Sequence, residues 1–424
     1  LPKWPDRIRL AFEDSKEPFM SAKPATLSLS DALGLGRLAI DAADGLTAVV
    51  EHLHMSILET PGIATLGHGL TGSVTRLVYR GVRGAIRLTG AGVGGAAGLV
   101  SLRPDDLPTS RKREVALAAL NGVVGDHLAE TPNPLALTMR FRRDGRALAL
   151  NRHALAQAFP DATGKLAVLV HGLCVSDLQW TRANHDHGAA LARDLGYTPV
   201  YLSYNSGLHI SVNGRAFAEK LEALVAAWPV EIENFILIGH SMGGLVARSA
   251  CAYGEEAEHK WRQKVRKLVF LGTPHHGAPL ERIGNWVDVT LGKAPYAAAF
   301  GRLGKVRSSG VTDLRYGNLM DEDWRGRDRF ARDPDARRFV PLPEGVACYA
   351  VAATTATSVG GLKERFIGDG LVPVASALGR HRDPARALDF PADRRWIACE
   401  TGHLDLLSRR NVYERISGWI AGNK

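Results

Sequence analysis

Ser241 lies between Gly239 and Gly243 in the run Gly239-His240-Ser241-Met242-Gly243-Gly244. An apolar stretch (234–238) leads into it and a helix-like run (245–253) follows. A serine on a sharp strand-to-helix turn needs small residues two places away on both sides, because a Cβ there would collide with the folded-back chain. The pattern therefore predicts a nucleophile on an elbow. A serine hydroxyl is a weak nucleophile and needs a base, and the base needs an acid to orient it. Gly368-Asp369-Gly370 can turn a carboxylate inward, and Gly402-His403 offers an imidazole ahead of the closing helix. Ser241, Asp369 and His403 then run in the chain order Ser–acid–His. A developing oxyanion needs N–H donors. The backbone of Leu173, after His171-Gly172, supplies one. Met242 at the start of the elbow helix supplies the other, where the helix dipole favours negative charge.

These residues need a frame. Strand-like segments fall at 165–170, 198–203, 234–239, 267–272, 347–353 and 395–399, and helix-like ones at 187–195, 212–228, 242–253 and 411–421. Ahead of them, 135–141 and 147–150 flank Asp144-Gly145, a preferred tight hairpin turn. A hairpin feeding repeated β–α units predicts an α/β fold: a mostly parallel central sheet with helices on both faces. Ligands of such sheets bind at the carboxyl ends of the strands, where the candidate residues fall.

With these motifs assembled, residues 134–424 resemble the α/β-hydrolase superfamily, and within it bacterial lipases and esterases related to GPI-inositol deacylases. The resemblance is carried by His171-Gly172-Leu173, the Gly239–Gly244 elbow, Gly272-Thr273-Pro274-His275-His276-Gly277, Gly368-Asp369-Gly370-Leu371-Val372-Pro373 and Gly402-His403-Leu404-Asp405. It implies an α/β-hydrolase fold and carboxylic-ester hydrolysis through an acyl-enzyme, with Ser241, Asp369 and His403 catalytic and Leu173 and Met242 forming the oxyanion hole. No cofactor is implied. The same acyl-enzyme serves an acyltransferase, and a non-catalytic hydrolase fold serves as a membrane-surface binding protein; both are alternatives.

Other residues are weighed against duller roles. His240, His275 and His276 border the expected site and are read as substrate contacts; for His275 and His276 a structural turn is the companion reading, and a catalytic base the alternative that the better chain order of His403 disfavours. His185-Asp186-His187 could hold a metal, but neighbouring residues converge poorly on one ion and Asp186 suits a helix cap, so no metal is assigned. Asp405 resembles a calcium-ligand position of some bacterial lipases, with no second carboxylate to match it.

The chain divides into a helical N-terminal region (1–130) and a catalytic domain (131–424), whose long segment 278–345 is expected to form a lid-like insertion. Ser30-Asp31 can start a helix, and Arg76, Arg80, Arg83 and Arg87 would share one face of another. That face suits a lipid–water interface, although simple solvation explains it as well. The small-residue run 84–102 contains Gly90, Gly92 and Gly95, but lacks the strand a dinucleotide site needs and is short for a membrane span. With 45% hydrophobic and 23% charged residues the 424-residue chain has the composition of a globular enzyme. The net charge of +9 is not gathered into a tail and comes with no nucleic-acid module, so no nucleic-acid partner is expected. The partner expected is a small-molecule or lipid ester, with peripheral contact at a lipid interface as the further option; oligomeric state is open. The four cysteines form no paired motif. Starting at Leu1, the chain is expected to have lost a residue or leader, and its start does not separate a cytoplasmic enzyme, slightly favoured, from a mature exported one.

Overall fold

The structure is a computed structural model that describes Gly34 and residues 111–279, 307–328, 335–357 and 368–422. Apart from Gly34, the helix predicted from Ser30 lies outside the described residues, as do the arginine-bearing segment 76–87 and the glycine-rich run 84–102. Eight strands form one sheet: β1 (Arg140–Arg143), β2 (Arg146–Ala147), β3 (Lys165–Val170), β4 (Thr198–Ser203), β5 (Asn234–His240), β6 (Val265–Leu271), β7 (Ala347–Ala353) and β8 (Arg395–Ala398), in the order β2-β1-β4-β3-β5-β6-β7-β8. Strand β1 pairs antiparallel with both β2 and β4, and every other pairing is parallel. Asp144 and Gly145 both take positive φ (49° and 73°), which matches the right-handed twist of a two-residue hairpin.

Both faces of the sheet are covered, so its central strands are apolar throughout rather than alternating with polar residues. On β3, Leu166, Val168 and Val170 enter one core while Ala167 and Leu169 enter the other. On β5, Phe235 and Leu237 oppose Ile236 and Ile238 in the same way. The helices in chain order are α1 (Arg111–Glu130), α2 (Arg152–Ala158), α3 (His187–Leu195), α4 (Ile210–Ala227), α5 (Met242–Glu256), α6 (Lys260–Lys264), α7 (Ser309–Asp313), α8 (Val374–Ala377) and α9 (Arg410–Ala421). Helices α1, α4 and α5 contribute to the first core; α3 and α9 fill the second. The Asp186 carboxylate accepts the Ala189 N–H and caps α3, the role its position suggested.

Helix α1 shares the core of the sheet: Ala119, Leu120, Val123, Val124 and Leu128 are buried in it. Arg142 of β1, 8% exposed, ties the helix to the sheet by pairing with Glu114 of α1 and with Asp177, both at 2.9 Å. The described parts of the insertion also pack down. Trp324 stacks on His209 at 3.8 Å and donates to the Ser211 hydroxyl, and Asp313 accepts the N–H of Ile210 at the start of α4. The charge run beyond Asp321 is turned to internal use, with Asp323 accepting the N–H groups of Leu319, Met320 and Arg338. Trp286, Tyr296, Phe300 and Phe330, expected in a lid, lie outside the described residues. Among the described residues no helix is long and apolar enough to cross a membrane. Cys174, Cys251 and Cys348 are buried and Cys399 is half-buried; burial pushes the first three thiols up to about 12.

Candidate active site

Ser241 follows the last residue of β5 and precedes α5, with φ 55° and ψ −126°. A side-chain-bearing residue in that region is strained, and the surroundings must hold it there. Its N–H donates to the Leu271 carbonyl at 2.8 Å and its own carbonyl accepts from Gly244 at 3.1 Å. A Cβ on Gly239 would lie 2.5 Å from the Gly244 Cα, and one on Gly243 would strike the carbonyl oxygens of Val170 and His171. Both glycines are thus required by backbone they cannot displace. Gly172 follows the same logic, since a Cβ there would sit 2.9 Å from the Ser241 Cβ. The end of β3 consequently lies directly against the elbow.

Asp369 and His403 meet. His403 donates through Nδ1 to Asp369 Oδ2 at 2.6 Å, with both side chains almost fully buried. The other oxygen, Oδ1, accepts the N–H groups of Leu371 (3.0 Å) and Val372 (2.8 Å), which fixes the carboxylate plane. The His403 N–H also donates to the Asp369 carbonyl at 3.2 Å. The His403 ring lies against Gly272 at the end of β6, next to the Leu271 carbonyl that anchors Ser241. Ser241, Asp369 and His403 thus follow β5, β7 and β8 in turn, at the carboxyl end of the sheet.

Buried imidazoles position the loop that bears His403. His240 is 1% exposed, and its Nε2 donates to the His403 carbonyl at 3.1 Å with the two rings 4.8 Å apart. Burial, reinforced by the neighbouring His403, holds its pKa well below the usual histidine value, so the ring is neutral. His187 does the same one turn on, with Nε2 donating to the Leu406 carbonyl at 2.8 Å. Its Nδ1 must then accept from His185 Nε2, 2.7 Å away. Burial brings the His187 pKa down to about 4. Asp405 accepts the Gly402 N–H at 3.0 Å within the same loop, a turn contact. Among the described residues no group of three or more His, Cys, Asp or Glu converges as a metal site.

His275 and His276 stand at the loop after β6. His275 is wholly buried against Phe270 and Phe390, with Nδ1 3.3 Å from Arg248 Nη1. His276 is half-buried; it donates through Nε2 to the Gly379 carbonyl at 3.1 Å and accepts from Arg337 Nη2 at 2.8 Å. Burial and that guanidinium bring its pKa to about 4. Arg337 also donates to the carbonyls of His275 and Gly317, so this loop is stitched to the tail of the insertion. The rings of His240 and His276 are thus engaged with backbone carbonyls, and that of His275 with the Arg248 guanidinium. Sequence reasoning missed Tyr204, whose ring stacks on His171 at 4.3 Å and whose hydroxyl donates to the His171 carbonyl at 2.8 Å. It weighed His187 only as part of a metal cluster, and it missed Arg337. No sequence signal distinguishes such carbonyl donors from ordinary polar residues.

A doubly covered, mostly parallel sheet with a serine elbow after a central strand defines an α/β-hydrolase fold. Residues 161–331 match the family model described as the PGAP1-like alpha/beta domain. Over that stretch the chain is related to PGAP1-like proteins, on an α/β-hydrolase fold, as its motifs implied. No curated protein sequence matches it. Among solved structures it is similar to the Bacillus licheniformis lipase BlEst2 in mature form, at 20% identity over 60% of this chain and 91% of that one, with a TM-score of 0.38. It is also similar to EstA from Clostridium botulinum (13% identity, 61% and 87% of the two chains, TM-score 0.35). The Pyrococcus furiosus esterase Pf2001 is a third (12% identity, 62% and 82%, TM-score 0.36).

Proposed function

We propose that the protein is a serine hydrolase of carboxylic esters acting through an acyl-enzyme. The observation that carries this reading is the 2.6 Å Asp369–His403 hydrogen bond beside a serine held at φ 55°. Ser241 Oγ attacks the ester carbonyl carbon while His403 Nε2 takes its proton. Asp369 holds His403 with its proton on Nδ1, so that Nε2 carries the lone pair that acts as base, and stabilises the imidazolium that forms. The backbone N–H groups of Leu173 and Met242 donate to the oxyanion. The tetrahedral intermediate collapses, His403 returns the proton to the leaving alcohol, and the acyl group stays on Ser241. Water, deprotonated by His403, then releases the acid and restores the serine. A hydrophobic acyl or aromatic ester is the substrate class we favour, because segment 278–345 is rich in aromatic side chains. We also propose that this segment covers the site as a lid.

The test is Ser241→Ala. It should fold with an unchanged thermal midpoint and lose more than about a thousandfold in turnover of a p-nitrophenyl ester. It should also fail to label with a fluorophosphonate that labels the wild type. Hydrolysis by the variant at the wild-type rate would remove Ser241 as nucleophile.

A further inference from the structure

We propose that helix α1, which lies ahead of every hydrolase motif, is a positioning element for the oxyanion donor at Leu173, and that it acts through Gly122 and Cys174. The proposal rests on the reading of Ser241 as nucleophile and Leu173 as donor.

Leu173 is bracketed by two close approaches. On one side Gly172 lies against the Ser241 Cβ. On the other, Gly122 of α1 lies against Cys174: a Cβ at 122 would sit 2.8 Å from the Cys174 Cα and 2.9 Å from its N, besides striking its sulfur. Two of those three atoms are backbone, so the loop would have to move as a unit to make room. Cys174 itself has φ 59°, a conformation a cysteine keeps only when its surroundings impose it. Its N–H donates to the Ser206 hydroxyl at 3.1 Å, which fixes the same point from the β4 side.

The helix in turn is anchored on several sides, so it can serve as a fixed wall. Asn121 bonds the Leu135 carbonyl at 2.8 Å and the Leu137 N–H at 2.9 Å. The Gly125 carbonyl accepts from Asn205 at 2.8 Å. The Gly122 carbonyl accepts from the Ser308 hydroxyl at 2.6 Å, and Asp126 accepts from Ser309 through both its N–H and its hydroxyl. Gly122 therefore sits where the oxyanion loop and the start of α7 in the insertion both meet α1. A preorganised donor is worth most when it needs no reorganisation at the moment of reaction, and this bracket removes the freedom to reorganise.

The experiment uses the full chain and compares Gly122→Ala, Gly122→Ala with Cys174→Gly, and Ser206→Ala. The methyl of Gly122→Ala should lower kcat about 10–100-fold, approaching the loss of one oxyanion donor, with KM within about twofold of wild type. Affinity for an alkyl boronic acid, which becomes a tetrahedral anion on the serine, should fall in the same proportion. Adding Cys174→Gly removes the struck sulfur but leaves the Cα and N contacts, and should recover only part of that loss. Ser206→Ala adds no bulk and should lower kcat about 3–10-fold with the same boronate signature, so it carries the test if Gly122→Ala does not fold. Wild-type kcat in Ser206→Ala and in a folded Gly122→Ala overturns the proposal. So does a loss that appears in KM and thermal midpoint while boronate affinity is retained. Fluorophosphonate labelling of the wild type separates the two ideas. A wild type that does not label overturns the serine reading itself; a labelled wild type with unaffected variants overturns only the role of α1.

Discussion

Asp369→Asn isolates the orienting carboxylate with little disturbance of the fold. Asp369 Oδ1 accepts two buried N–H groups, those of Leu371 and Val372, and an asparagine carbonyl keeps both bonds. In that orientation the new NH2 group points at His403 Nδ1, where Oδ2 now accepts at 2.6 Å. The imidazole must turn acceptor at Nδ1 and carry its proton on Nε2, the nitrogen required as base. The corresponding change in a Ser-His-Asp protease lowers kcat about ten-thousandfold, and a loss of that order is expected here with KM little changed. Asp369→Ala makes the contrast. It leaves two buried N–H donors unsatisfied, at about 1–3 kcal/mol each, so it should be inactive and also less stable by about 2–6 kcal/mol. Steady-state ester hydrolysis alongside urea unfolding of the three proteins reads both effects. Turnover by Asp369→Asn within tenfold of wild type would refute the argument and make Asp405 the next carboxylate to test.

Two further changes probe the supports. His187 has a folded pKa of about 4 against 6.5 when exposed, so between those values the unfolded chain binds the extra proton. Its contribution to stability is complete above about pH 6.5, falls through that window and is gone below about pH 4, a change of about 3 kcal/mol. In His187→Gln the decline in urea stability from pH 7 to pH 4 should be shallower by that order, and an identical slope would contradict the account. Arg142→Met strands the carboxylates of Glu114 and Asp177 without their cation and should cost about 3–5 kcal/mol. Adding Glu114→Gln and Asp177→Asn should restore most of it in guanidinium unfolding, and no recovery would mean the arginine stem, not its charge, supplies the stability.

Much of the frame was legible because a sheet covered on both faces writes itself as uninterrupted apolar runs. The segments 165–170, 198–203 and 347–353 coincide with β3, β4 and β7, and the elbow announced itself through glycines that backbone contact makes obligatory. The hairpin strands came out shorter than 135–141 and 147–150 suggested, since only Arg140–Arg143 and Arg146–Ala147 find ladder partners. Helix α1 was harder to read. Its run of Ala119, Leu120, Asn121, Gly122, Val123 and Val124 is buried on nearly every side, so no amphipathic stripe announces which surface it meets. The histidines were opaque for a different reason. Whether His240 faces a ligand or a carbonyl depends on which ring nitrogen carries the proton, and that is decided by a residue 163 positions away.

The distribution of sulfur has a practical consequence. Three of the four thiols are sealed in the interior with their ionisation pushed up to about 12, so they are poor targets for alkylating reagents at neutral pH. Cys399, at the end of β8 and four residues before His403, remains within reach. A maleimide fluorophore added to the unmodified protein should settle there alone, giving a reporter on the segment that carries the imidazole without any engineered cysteine.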